Sequence, residues 1–191
     1  GYDYLRIIAL RYIQKVAFNH AVGVIFLTKY AAEIIQKQSG KIINIKIIPH
    51  GVDDMFKRIK HNIQWPEQGE RSIRCLYISN ALPYKNIEKV IRAIEIIRGS
   101  YIDVVLELVG GGCGEAQERV EQQIKQSDPN HKFVTQKPFV SHKNLPIILK
   151  EADIFVFASS CETFGITLLE AMAVGIPIAC SRRSSLPETL V

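Results

Sequence analysis

Two carboxylates eight positions apart, in Glu162-Thr-Phe-Gly-Ile-Thr-Leu-Leu-Glu170, and the lysine of Pro-Tyr-Lys85-Asn-Ile-Glu are the residues here best placed to do chemistry. A carboxylate repels phosphate but accepts hydrogen bonds from sugar hydroxyls. A cation at a helix start opposes the helix dipole, so it calls for an anionic ligand to justify it. Free N–H groups at a helix N-terminus also receive anions. Together these groups suit a ligand with both hydroxyl and phosphate parts, such as a nucleotide sugar. Taken singly, each Glu is more simply a solvated or dipole-complementing helix residue, and Lys85 a solvated first-turn lysine. The whole string, with Glu-x-Phe-Gly and Glu-Ala-Met-Ala-x-Gly-x-Pro in register, points to a site.

The elements that must position these groups follow from hydrophobic pattern. Ile154–Ala158 is an apolar run bounded by small residues and reads as a buried strand; Ile166–Ala173 reads as a helix that breaks at Gly175 and Pro177. Glu162 then lies on the strand-to-helix loop, and Glu170 inside the helix, at the rim of the core. Upstream, Ser72–Ser79 is a strand, Asn86–Arg98 a helix, Ile102–Val109 a strand and Glu115–Gln126 a polar helix. His131–Thr135 is a strand, Asn144–Glu151 a helix, and Pro177–Cys180 begins a fifth strand. This rhythm predicts an α/β fold with a parallel, doubly wound sheet and ligands at the carboxyl ends of its strands. Residues 1–50 repeat the texture, with a helix over 4–18, strand Val22–Leu27, helix Lys29–Gln38 and strand Ile42–Ile48. Residues 51–71 read as a polar interdomain linker, and 72–191 as a second domain.

The Glu162–Glu170 string resembles the Glu-x7-Glu motif of retaining glycosyltransferases of the GT-B fold, in particular family 4. The resemblance implies two Rossmann-like domains. Residues 1–50 would be the end of the first, acceptor-side domain, and 72–191 most of the second, donor-side domain, cut short at its C-terminus. It implies Glu162, the catalytic-site carboxylate, at the donor sugar and Glu170 at the nucleotide ribose. Backbone N–H groups of Phe164, Gly165, Ile166 and Thr167 would lie beside the sugar and diphosphate. Lys85 matches the family lysine on the diphosphate. Asn80 stands where the family usually has arginine, leaving Lys85, the helix N-terminus and Arg182 or Arg183 to meet that charge. Val140, in Phe139-Val140-Ser141, falls where the family holds the nucleobase through backbone groups. Pro49-His-Gly-Val-Asp53 resembles the segment leading out of the first domain, and His50 reads as part of a structural turn.

Composition narrows the alternatives. A chain of 191 residues with 47% apolar content can bury a full core. A net charge of +5 suits an anionic ligand or membrane surface without choosing between them. The basic residues are scattered and carry no nucleic-acid-binding signature, so no nucleic-acid partner is expected. Residues 4–18 interleave Tyr4, Leu5, Ile8, Tyr12 and Val16 with Arg6, Arg11 and Lys15, which would suit an anionic bilayer surface or a neighbouring domain equally. Cys75, Cys161 and Cys180 sit in or beside apolar runs and read as reduced core thiols, consistent with a cytoplasmic location at the inner face of the membrane. Gly110–Gly114 fails the dinucleotide frame at Glu115 and reads as a loop where backbone approaches the ligand or a facing domain. His20, His50, His61, His131 and His142 form no ligand spacing, and Asp-x-Asp is absent, so no metal or other cofactor is expected.

The reading is therefore a metal-independent retaining hexosyl- or N-acetylhexosaminyltransferase. It would use a nucleotide-diphosphate donor such as UDP-GalNAc or UDP-GlcNAc and a lipid-linked saccharide acceptor, in O-antigen or similar lipopolysaccharide synthesis. Two alternatives stand beside it: a donor-binding half that works only with a partner polypeptide, and a GT-B-fold nucleotide-sugar epimerase.

Overall fold

Strands whose side chains are apolar on both faces need a layer on each side, and the second half of the chain provides it. A computed structural model describes residues 2–190 apart from Ile63 and Gln68. The chain folds as two compact units: Gly1–Gly51 with Glu162–Gly165 and Ser184–Val191, and Val52–Cys161 with Ile166–Arg183.

In the first unit, α1 (Tyr2–His20) precedes β1 (Val24–Phe26), α2 (Lys29–Ser39) and β2 (Ile45–Ile47), and the two strands pair in parallel. Thr28 caps α2, its hydroxyl accepting from Ala31 N at 3.1 Å, and Gly40 closes the helix at φ 87°. Phe26, Ala32 and Ile42 form the core, with Phe18, Val24, Ile35 and Ile47 against it. Tyr4, Leu5, Tyr12 and Ile13 of α1 stay largely exposed. Among the described residues no helix is long and apolar enough to cross a membrane.

The second unit starts with α3 (Asp54–Arg58), capped by Asp53, which buries Phe56 completely within the stretch that reads as linker in the sequence. Then come β3 (Ile73–Ile78), α4 (Ile87–Gly99), β4 (Val104–Val109) and α5 (Glu115–Ser127). They are followed by β5 (Val134–Lys137), α6 (Leu145–Glu151), β6 (Ile154–Phe157), α7 (Ile166–Val174) and β7 (Ile178–Cys180). The sheet is parallel throughout in the order β5-β4-β3-β6-β7. Leu76, Phe155, Phe157 and Leu168 are almost wholly enclosed.

Three local departures from the sequence reading have clear causes. The β5 strand begins at Val134 instead of His131 because the buried Asp128 carboxylate accepts from Lys132, Phe133 and Val134 N–H groups, each at 2.8 Å. Burial alone would raise that carboxyl, yet these donors hold it below the usual carboxylate range. Cys161 is exposed, not a core thiol, because it lies on the loop past the end of β6; Cys75 is enclosed, and burial pushes its thiol up to about 11. The Gly110 backbone, at φ 120°, packs against the end of β3 so closely that a Cβ would overlap the Ser79 carbonyl. Gly110, and Gly112 against Ala81, thus bring this loop against its neighbour at the same sheet edge, a contact the sequence reading does not specify.

At the opposite edge of the sheet, Asp153 fixes the start of β6. It accepts from Arg71 Nη1 and Nη2 at 2.6 and 2.7 Å and from Arg74 N at 2.8 Å. Burial would raise this carboxyl too; the guanidinium and the backbone donor outweigh it and hold it low.

Candidate functional site

The strand order reverses direction between β3 and β6, so the connections that follow these strands diverge and leave an opening at their carboxyl ends. Of the residues expected to meet a ligand in the second unit, Asn80, Lys85, Ile166, Thr167 and Glu170 lie on those connections, Val140 lies on the loop after β5, and Arg182 and Arg183 follow β7.

The β3–α4 connection is fixed by side chains. Asn86 takes a left-handed conformation at φ 53°, and its Nδ2 donates to Ala158 O at 2.9 Å and to Tyr84 O at 3.1 Å. Ser160 N donates to Tyr84 O at 2.8 Å, which ties this loop to the one after β6. Lys85 therefore ends a single 3-10 turn ahead of α4, instead of lying in the helix's first turn as the sequence suggests. Its carbonyl accepts from Tyr77 Oη at 2.6 Å. Its Nζ sits 5.3 Å from the Phe157 ring centre and 5.4 Å from that of Tyr84, over the end of β6. Asn80 is exposed on the same connection, and the neighbouring Ala81 N donates to Gly111 O at 3.0 Å.

The α7 helix starts at Ile166, after Gly165 at φ 85°, and points its N-terminus toward the carboxyl edge of the sheet. Ile166 is exposed there and Thr167 half-buried. Glu170 comes just over one turn later and is only 4% exposed, so it belongs to the core and not to its rim. Its Oε1 lies 2.6 Å from His142 Nε2. Burial pushes the Glu170 carboxyl above the usual range, and His142 pulls part of the way back. His142 opens a 3-10 turn two residues after the half-buried Val140, and its ring packs 5.2 Å from that of Phe56. The loop expected to hold a base and the helix carrying Glu170 are thus joined by one hydrogen bond.

In the first unit, the motif's opening residues are held through their carbonyls. Ser185 Oγ donates to Glu162 O at 2.8 Å, Thr28 Oγ1 to Thr163 O at 3.0 Å and Thr189 Oγ1 to Phe164 O at 2.6 Å. Ser184 Oγ accepts from Glu162 N at 2.9 Å. The Phe164 ring is buried, edge-on to His50 at 5.4 Å, giving both the packing role of a structural turn. Glu188, on the short helix α8 (Leu186–Thr189), accepts from Lys29 N at 2.7 Å and Tyr30 N at 3.1 Å, satisfying the N-terminus of α2.

Sequence reasoning missed Asn86 and His142. Asn86 follows Lys85 and was legible only as a helix start; its left-handed backbone carries no pattern. His142 shows no ligand spacing in the sequence, and its partner lies 28 residues away.

Comparison with known proteins gives the family and the fold of the chain. Residues 58–191 match the family described as Glycosyl transferases group 1. The chain is 30% identical over 120 residues to O-antigen chain mannosyltransferase B of Escherichia coli, covering 61% of this chain and 30% of that protein. It is 28% identical over 189 residues to the GDP-mannose-dependent alpha-(1-6)-phosphatidylinositol monomannoside mannosyltransferase of Mycolicibacterium smegmatis, covering 91% of this chain and 47% of that protein. The chain thus spans less than half the length of either relative. Sucrose-phosphate synthase of Thermosynechococcus elongatus superposes with a TM-score of 0.77 at 21% identity, over 95% of this chain and 46% of that one. The fold is that of the GT-B glycosyltransferases, and the chain belongs to the Glycosyl transferases group 1 family.

Proposed function

We propose that this chain binds a nucleoside diphosphate sugar at the carboxyl ends of β3 and β6 and supplies the donor side of a retaining, metal-independent glycosyltransferase. The observation that carries this reading is that an ammonium, Lys85, and a buried carboxylate, Glu170, both lie on the connections that leave the switch-point strands. Lys85 and the N-terminus of α7 take the diphosphate, Glu170 the ribose and the backbone at Val140 the base. Asn80 lies beside the phosphates without adding charge. By resemblance of the motif, Glu162 orients the sugar and the backbone from Phe164 to Thr167 flanks it.

The reaction breaks the bond from the anomeric carbon to the diphosphate oxygen and forms one to an acceptor hydroxyl on the same face. The acceptor proton passes to the departing phosphate. Lys85 and the helix dipole stabilise the negative charge that grows on the leaving group, as preorganised donors do. The acceptor is a lipid-linked saccharide of an O-antigen or similar surface polysaccharide. The exposed apolar and basic residues of α1 suit peripheral contact with the cytoplasmic membrane.

Both relatives are named as mannosyltransferases and one of them as GDP-mannose-dependent, which favours GDP-mannose as donor, whereas the local motif favours UDP-GalNAc or UDP-GlcNAc. A thermal-shift panel of the three, with UDP and GDP, decides. A ligand at about 100 times its Kd stabilises the native state by about 2.7 kcal/mol. For a chain of this size each kcal/mol raises Tm by ~2–4 °C. The expected result is a rise of several degrees with one base and a smaller one with the other. No shift with any member of the panel contradicts the proposal.

A further inference from the structure

We infer that His142 is a positioning residue for the nucleotide: it holds one oxygen of the buried Glu170 carboxylate so that the other is presented to the ribose. The inference rests on the assignment of Glu170 to the ribose made above.

Glu170 is enclosed on α7, and among the described residues the one hydrogen bond of its carboxylate is the 2.6 Å contact from Oε1 to His142 Nε2. Glu170 Oε2 has no hydrogen-bond partner among the described residues, so this acceptor is left for a ligand. A buried carboxylate with one oxygen fixed and the other open is a preorganised acceptor: its torsion is set before a ligand arrives, and little freedom is lost on binding.

The histidine is itself held on one side only. Its ring packs against that of the fully buried Phe56 on α3, which packs on α7, while the rest of the imidazole is exposed. With the carboxyl ionised, the Nε2–H donates to Oε1, so the ring supplies the donor that burial denies this carboxylate from water. His142 also belongs to the loop that carries Val140, so the same bond sets the loop that meets the base at a fixed place relative to the ribose acceptor.

The test uses the native chain with His142→Ala, His142→Gln and Glu170→Ala. Each is titrated with GDP or UDP, whichever the native chain prefers, with the matching 2′-deoxynucleotide, and with inorganic pyrophosphate. The native chain should prefer the ribonucleotide. His142→Ala should lower ribonucleotide affinity by roughly 3–10-fold, the span of one ordinary hydrogen bond. It should lower deoxynucleotide affinity less and leave pyrophosphate affinity unchanged. His142→Gln keeps an N–H donor and should restore most of the preference. An equal fall for all three ligands, or a Gln variant that restores nothing, would make His142 a packing residue and overturn the inference. If Glu170→Ala removes the ribose preference while His142→Ala keeps it, the inference alone fails. If Glu170→Ala keeps the native preference, the ribose assignment fails and takes the inference with it.

Discussion

A Lys85→Ala chain binds nucleoside diphosphates roughly 10–100-fold more weakly than the native chain. A hydrogen bond to a charged group contributes about 1.5–3 kcal/mol, and each ~1.4 kcal/mol is a factor of ten in affinity. The loss falls on the phosphates, so inorganic pyrophosphate weakens by a similar factor while the free nucleoside is unaffected. Asn80 supplies no second cation on this connection, which makes the dependence on Lys85 greater. Losing the ammonium over Phe157 and Tyr84 removes a cation–π contact of about 0.5–1 kcal/mol. Lys85→Met, which keeps the aliphatic stem, separates the charge from the packing. Calorimetric titration of the three ligands checks this; an unchanged pyrophosphate affinity in Lys85→Ala would place the diphosphate elsewhere.

Glu170 should show the opposite balance, a gain in stability with a loss of binding. Glu170→Ala removes the ribose acceptor and weakens the nucleoside diphosphate by roughly 10-fold or more, at about 1.5–3 kcal/mol for a charged hydrogen bond. Glu170→Gln keeps a hydrogen-bonding shape without the charge and loses less. For stability the sign follows from the raised carboxyl. The folded chain holds this proton more tightly than the unfolded one, so the group's favourable contribution is present in full below the usual carboxylate range. It is lost as pH rises through the higher folded value. At neutral pH the native chain therefore carries the cost of an ionised, buried carboxylate that His142 only partly offsets. Glu170→Gln should melt at a higher temperature than the native chain at neutral pH, with the gap closing as pH falls into the acid range. A gap that widens on acidification would mean the carboxyl is stabilised, not strained, by its surroundings. A residue that costs stability where it stands and strengthens binding there is the behaviour of a site.

Much of this was legible in the chain because apolar runs and helical periodicity report burial directly. The strand at 154–157, the helix from Ile166 and the pair 73–78 and 104–109 lie where those patterns place them. The motif carboxylates and Lys85 were legible because their spacing relative to these elements is local. What was hidden is set by single side chains acting across distance. Asp128 delays β5 by gathering three N–H groups, a role that its place between polar residues does not show. The approach of Gly110 to Ser79 needs the sheet to exist before it can be seen. His142 reaches Glu170 only because the loop after β5 and the helix after β6 meet in space. For the same reason the burial of Glu170 could not be read from a helix whose outer and inner faces are both largely apolar.

The measurement that bears most directly on the central claim is the location of a bound nucleoside diphosphate. Amide chemical-shift mapping of the isotopically labelled chain, titrated with GDP or UDP, reports it without requiring turnover. The expected perturbations cluster at the carboxyl ends of β3 and β6: Ser79–Asn86, Val140–His142 and the first turns of α7 through Glu170, with the amino ends of the strands around Arg71, Arg74 and Asp153 silent. Perturbations centred on the amino ends of the strands, with Lys85 and Glu170 unmoved at saturation, would contradict the account.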